Sequence, residues 1–320
     1  MPPLPKHRVF EEKIRDLLRQ SRALEPEARK RILELLAQTR RRVIAQLASL
    51  RPDQTYLRAN LRQLKQEIEI AFEEFGGRAA LVMRQLQQRG AQLGTATVDI
   101  PLATVRKPLP FPIGLDRTTL AIAQDFSADL ISGLSRQAAA QVNSALQRAF
   151  LGGQPLTSII EQVAQGLGGT GPLDLFSKVG ERATTIAINE IKRVHSIAAQ
   201  ERLNLAAERN ADLKKQWRWV DVGQKPRPGH QQDAIHGGAH GQVRPVNEDF
   251  WVRAGAGLAS FEGLAFPRDP KGSPGNTINC HCVVVPYFDK EDLTDLQPTD
   301  EQRRLLEQYG IEIQIGGAAA

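Results

Sequence analysis

The sequence predicts an α+β protein: a long N-terminal helical region followed by a small α+β C-terminal module, with a metal clip as the candidate staple of that module. Three observations predict it. Hydrophobic residues make up 41% of the chain but aromatics only 5%, a mix that favours helices packed through small aliphatic side chains over a β-sandwich. Apolar residues recur at steps of three and four as far as residue 213, the period of helices that bury one side. Beyond Gln216 that period gives way to short alternating runs and to stretches rich in Gly and Pro. The chain's only two cysteines stand there, in Asn279-Cys280-His281-Cys282.

Residues 8–24 read as a helix with Val9, Ile14, Leu17, Leu18 and Leu24 on one broad side. Pro26 suits the first turn of a second helix, which runs to about Leu50 on a stripe of Ile32, Leu35, Leu36, Val43, Ile44 and Leu47. Pro52-Asp53 reads as a break followed by an N-cap. Leu57, Leu61, Leu64, Ile68, Ala71, Phe75, Ala79, Val82 and Leu86 then give a long amphipathic helix with a near-heptad seam. Gly76-Gly77 is expected to kink or break it. Residues 98–114 carry Pro101, Pro108, Pro110 and Pro112 and read as an extended connector. Asp116 is the N-cap of a helix to about Phe150, which Gly152-Gly153 ends. Ser158 and Glu161 have capping-box spacing for a short helix, and residues 173–213 form another long helical region.

Trp217 to Val222 alternates as a strand, and Cys282 to Val285 reads as a buried strand stopped by Pro286. Trp217 and Trp219 are expected on opposite faces of the strand, so that at most one lies in the core, and Trp251 is expected to pack. Thr299 and Gln302 open a short helix, and Ile311, Ile313 and Ile315 read as an edge strand. The organisation that follows is a basic helical arm over 1–97, a Pro-rich connector over 98–115, a helical region over 116–213, the Trp-strand, His and Cys-x-Cys module over 214–290, and a C-terminal tail with a short helix over 291–320.

Charge is unevenly spread. Residues 1–90 hold 19 Lys/Arg against 11 Asp/Glu, a net +8, while the whole chain is +6. A basic first part points to an acidic partner, nucleic acid or an acidic protein surface. No run approaches the ~18 apolar residues of a membrane span, and the N-terminus lacks the apolar core of a secretory signal.

His230, His236 and His240 lie about forty-five residues before the Cys-x-Cys, in a segment of little periodicity. Thiolates and imidazoles gathered into one polar region point to a metal, zinc first. The candidate ligands are Cys280, Cys282, His230 and one of His236 or His240. Two free buried thiols are the plain alternative; a disulfide across a single residue would be strained. Asp221, Asp233 and Asp269 are potential partners around the ligands. Four protein ligands would make the site closed and structural, and three would leave room for water and for catalysis.

Over residues 180–287 several features arrive in one order: a helix with Ile188-Asn189-Glu190, the strand Trp217-Arg218-Trp219, then Arg227-Pro228-Gly229-His230 and His236-Gly237, then Phe266-Pro267-Arg268-Asp269-Pro270, and finally Asn279-Cys280-His281-Cys282 leading into an apolar strand. This ordered set resembles the phage head-morphogenesis family, the minor capsid proteins similar to protein F of phage Mu. The family usually has Arg between the two cysteines, where this chain has His281. The resemblance implies a minor head protein of the virion. It would join the procapsid in the host cytoplasm, associate with the portal and the capsid interior, and influence DNA delivery. Its basic part, residues 1–90, would face phage DNA, whose phosphates attract Lys and Arg without reading sequence.

The leading reading is therefore non-enzymatic, with no catalytic residue assigned and zinc as a structural cofactor. The alternative is a metal-dependent hydrolase or nuclease using the His/Cys cluster. The chain offers it no His-Glu-x-x-His pair, no Walker loop and no Gly-x-Ser-x-Gly. A transferase-like role for Glu190 lacks the neighbouring Arg and Ser/Thr.

Overall fold

A computed structural model describes residues 6–49, 57–105, 115–152, 157, 158, 161, 175–220, 228–231, 238–255 and 259–289. Four long helices come first: α1 (Lys6–Ala48), α2 (Leu57–Thr104), α3 (Arg117–Leu151) and α4 (Leu175–Ala207). Strand β1 (Lys214–Trp219), a 3-10 turn (Pro228–His230), β2 (Val243–Pro245), β3 (Phe250–Ala254), β4 (Ser260–Leu264), the short helix α5 (Pro274–Thr277) and β5 (Cys282–Tyr287) follow. The α+β class expected from the sequence is the one observed. No helix among the described residues is long and apolar enough to cross a membrane.

The chain divides into two compact units. One consists of Glu25–Leu86 and Ala121–Glu190, and is helical. Ile32, Leu36 and Val43 of α1, Ile68, Phe72 and Phe75 of α2, Ile131 and Val142 of α3, and Phe176 and Ala183 of α4 form its core. Phe72 and Phe176 stack at 5.7 Å. Each helix contributes residues at steps of three, four and seven, so burial of one stripe is what holds these helices in place.

The other unit, Met1–Leu24, Gln87–Leu120 and Ile191–Ala320, contains every strand among the described residues. A three-stranded antiparallel sheet runs in the order β2-β1-β5, and β3 pairs with β4 as a hairpin. Its core gathers Phe10, Ile14 and Leu18 of α1, Val98 and Leu102 of α2, Ala199 and Leu203 of α4, and Trp217, Phe250, Val252 and Val283 to Val285 of the strands. Within this unit α2 and α4 touch backbone to backbone. A Cβ at Gly94 would lie 2.3 Å from the His195 carbonyl oxygen, so only glycine permits the approach. Further along the same two helices, Asp99 and Arg202 form an ion pair at 2.5 Å with both side chains under 5% exposed.

Several expected breaks are absent. Pro26 lies inside α1, which continues from Lys6 to Ala48; the ring removes one hydrogen bond, while Leu24, Ala28 and Ile32 stay buried on either side of it. Gly76-Gly77 does not interrupt α2. Gly76 instead admits Ser135, whose Oγ would sit 2.8 Å from a Cβ there. The start of the expected connector is helical as far as Thr104, with Val98, Ile100 and Leu102 buried; residues 106–114 lie outside the described residues. Asp116 caps α3 as expected, accepting the Thr119 N–H at 2.9 Å, and these bonds hold its carboxyl below the usual range despite some desolvation. Strand β5 runs past Pro286 to Tyr287, which an edge strand tolerates because Pro faces away from the ladder. The capping box at Ser158 and Glu161, and every element expected after residue 290, fall largely or wholly outside the described residues.

Trp217 and Trp219 are two apart and so share one face of β1. Trp217 is fully buried and Trp219 packs at the core's edge, so depth and not alternation separates them. Trp251 is half exposed, across from Gly263 on the outer face of the hairpin, and not a packed core residue.

Candidate metal centre

Three of the expected ligands come together. His230 ends the 3-10 turn, Cys282 opens β5, and Cys280 stands two residues before it. Their exposures are 2%, 1% for Cys280 and 0% for Cys282. His230 Nδ1 lies 3.6 Å from Cys280 Sγ and 3.4 Å from Cys282 Sγ. All three ligand atoms fall within 4.8 Å of one another, a group that could hold a metal ion.

Local structure explains the convergence. Asn279 adopts a left-handed backbone, φ 53°, a conformation Asn tolerates better than most residues. The turn that follows lets the Cys282 N–H donate to Cys280 Sγ at 3.4 Å. On the other side the backbone of Gly229 presses against β3, where a Cβ would come 2.9 Å from the Arg253 carbonyl oxygen. The glycine lets His230 reach the sulfurs.

The imidazole is oriented by a chain of bonds. Asn276 Nδ2 donates to the Arg253 carbonyl and to Glu262 Oε2, each at 3.0 Å. Its Oδ1 therefore faces His230 Nε2 at 3.2 Å, and that nitrogen must carry the proton. Nδ1 is left with its lone pair aimed at both sulfurs. Trp217 closes the site edge-on, its ring 5.7 Å from His230, with Phe250 5.4 Å behind it.

Arg268 supplies the charge. It is 1% exposed, and it donates to the Cys280 carbonyl at 2.8 Å and to the Cys282 carbonyl at 2.9 and 2.8 Å. Burial opposes a thiolate at Cys280, but the bond from Cys282 and the Arg268 charge work against it and hold that thiol well below the ordinary range. Cys282 moves the other way, raised by burial and then by the neighbouring Cys280. A soft cation bound to the two sulfurs would release their protons.

The other predicted residues fall elsewhere. His240 is half-buried at the end of β1, where its Nδ1 accepts the Trp219 N–H at 3.0 Å; burial and then Arg218 lower its pKa. His236, Asp221, Asp233 and Arg227 lie outside the described residues. Asp269 braces a turn, accepting from the Ala265 and Lys271 amides, and does not support a ligand. His281, between the cysteines, meets Lys192 Nζ at 2.9 Å. The residues that do support the site, Asn276 and Arg268, carried no ligand-like spacing. Only Arg268's place within the Pro-Arg-Asp-Pro element marked it.

Comparison with known proteins settles the expected resemblance: residues 140–285 match the family described as "Phage Mu protein F like protein". Over this stretch the chain is similar to that family. The stretch takes in the end of α3, all of α4 and β1 to β4, and β5 as far as Val285, so it contains His230, Cys280 and Cys282 together with Asn276 and Arg268. The chain is also 36% identical over 122 residues to the "Uncharacterized protein YqbB" of Bacillus subtilis (strain 168), covering 38% of this chain and 35% of that protein. The match thus spans about a third of the relative's length. No solved structure matches.

Proposed function

We propose that the chain is a phage minor head protein that acts in head morphogenesis by binding, and that a structural zinc ion on His230, Cys280 and Cys282 closes its C-terminal module. The observation that carries the first statement is the Mu F-like match over residues 140–285. The portal and the capsid interior are the partners of this reading, with packaged DNA for the basic N-terminal part. The virion, after assembly in the host cytoplasm, is the location.

Distances support the zinc. A tetrahedral ion about 2.3 Å from sulfur and about 2.05 Å from nitrogen sets a sulfur-to-nitrogen edge of about 3.6 Å. The two edges here are 3.6 and 3.4 Å. A thiol hydrogen bond would use the single Nδ1 lone pair on one sulfur and leave the other, equally close, unexplained. Charge agrees. Among the described residues the buried Arg268 guanidinium has carbonyl partners and no carboxylate, so the thiolates are the negative charge it faces. Three protein ligands among the described residues leave a fourth position open, but ligands no more than 2% exposed suit a structural ion better than a substrate site.

Co-expression with the portal protein of the same genome, followed by mass analysis of the purified ring, tests the head-protein reading. A complex of fixed stoichiometry is expected, and a chain that stays free overturns it. Elemental analysis tests the ion. One zinc per chain is expected, lost in Cys280→Ser, and a metal-free folded chain overturns that part.

A further inference from the structure

We propose that a groove between the first half of α1 and the end of β1 binds a single nucleic-acid strand, its phosphates along Arg15, Arg19 and Arg22 and a base against Trp219. This rests on the reading of the chain as a head protein whose basic part meets DNA, and it places that contact in one site shared by the N-terminal helix and the Mu F-like region.

The groove encloses about 610 Å³ and is lined by Glu12, Arg15, Asp16, Leu18, Arg19 and Arg22 on one side and by Arg218, Trp219 and Val220 on the other. Helix α1 is fixed in rotation here. Phe10, Ile14 and Leu18 are buried in the unit's core, and Phe10 meets Phe288 edge-on at 6.2 Å. With that face committed, Arg15, Arg19 and Arg22 stand exposed one turn apart and line a track about 10 Å long. Arg218 is pinned as the opposite wall. Its two terminal nitrogens each lie 2.6 Å from a Glu11 carboxylate oxygen.

The chemistry favours a nucleic-acid strand. All four cations are arginines, whose planar fork matches phosphate oxygens. They face three carboxylates; Glu11 pairs with Arg218 and Asp16 with Arg19, which leaves Arg15 and Arg22 against Glu12 and a small positive excess along α1. Leu18, Trp219 and Val220 make an apolar floor, and the partly exposed Trp219 ring offers a face for stacking. An electrostatic track beside an aromatic platform is how proteins hold single strands without reading sequence.

The test uses the full chain, a fluorescein-labelled twelve-residue oligo-dT, and anisotropy across a series of salt concentrations. Arg15→Ala/Arg22→Ala removes two exposed guanidiniums and leaves the buried face of α1 intact. We expect at least tenfold weaker binding and a salt slope shallower by about 1.4, the value for two lost phosphate contacts on a single strand. Trp219→Leu, with folding checked by circular dichroism, is expected to weaken binding without changing the slope. Equal binding and slope in the double variant overturn the proposal. So does a poly-glutamate peptide that binds as tightly as the oligonucleotide, which would assign the groove to an acidic protein. The double variant is also carried through the portal co-expression. Loss of oligonucleotide binding with the portal complex intact supports the groove alone, whereas arginine-dependent oligonucleotide binding without any portal complex would sink the head-protein reading and leave the groove standing.

Discussion

Replacing Arg268 by Met should destabilise the strand-bearing unit by about 3–5 kcal/mol, through the lost charge-assisted bonds and the two buried carbonyls they leave. The guanidinium reaches the carbonyl oxygens of both Cys280 and Cys282 through contacts of 2.8 to 2.9 Å. Hydrogen bonds to a charged group contribute about 1.5–3 kcal/mol each, and a stranded buried carbonyl costs about 1–3 kcal/mol. The relief of burying one charge fewer offsets part of the sum. Arg268 has a left-handed backbone, φ 67°, but Met bears the same strain, so that cost cancels in the comparison. Lys at this position has one charged nitrogen where two are used, and an intermediate loss is expected. All three tryptophans, Trp217, Trp219 and Trp251, belong to this unit, so urea unfolding followed by tryptophan fluorescence reports it specifically. A loss under about 1 kcal/mol, with metal content unchanged, would refute the argument that this arginine holds the Cys-x-Cys turn and balances its thiolates.

Gly94→Ala should cost about 1–3 kcal/mol or more by overpacking, because the His195 backbone carbonyl stands where the new methyl must go; Gly77→Ala, with nothing near its Cβ, should be neutral or better in the same thermal melt. Asn276→Leu should keep the fold's shape but weaken metal retention in a chelator competition by about 10–100-fold, since the His230 tautomer is no longer imposed. Acid behaviour follows from two buried groups. Burial, then Arg268 and Lys192, push His195 down to about 3; its contribution to stability is present above its ordinary 6.5 and is lost as pH falls toward 3. Burial pushes Asp99 up to about 6 against the pull of Arg202; the folded chain then binds its proton before the unfolded chain does, and stability rises as pH falls from 6 to 3.8. The two trends oppose each other in that window. Asn at position 99 removes one of them, so its stability relative to the parent should fall by about 1.4 kcal/mol per pH unit between pH 6 and 3.8. Parallel stability curves for the two proteins would contradict this.

Much of the helical half was legible because burial of a stripe leaves a period. Ile68, Ala71, Phe75 and Ala79 stand in the core of their unit as the spacing predicted, and Asp116 caps the helix it was expected to cap. Breakers were the misleading signal. Pro26, Pro101 and Gly76-Gly77 all sit inside helices, since neighbouring buried side chains on both flanks outweigh one missing hydrogen bond or one flexible residue. In the strand-bearing unit Lys215 illustrates the opposite difficulty. It reads as a surface residue, yet it is 1% exposed, donating to the Gln200 side chain at 3.2 Å and the Ala265 carbonyl at 2.7 Å over the Phe250 ring. Its burial pushes the ammonium down to about 8, and only its place two residues before Trp217, on the same face of β1, marks it.

The sequence by itself determined the class, the helical stripes, the Mu F-like signature and the identity of two thiols and an imidazole as a set able to bind metal, because each depends on residue type and local spacing. Tertiary structure decided that His240 stands apart from His230 and the two cysteines, which nitrogen of the His230 ring carries the proton, that Asn276 and Arg268 hold the arrangement, and that Trp219 faces a row of arginines some two hundred residues earlier in the chain. Those outcomes depend on contacts between segments remote in sequence, and a contact of that kind leaves no period behind.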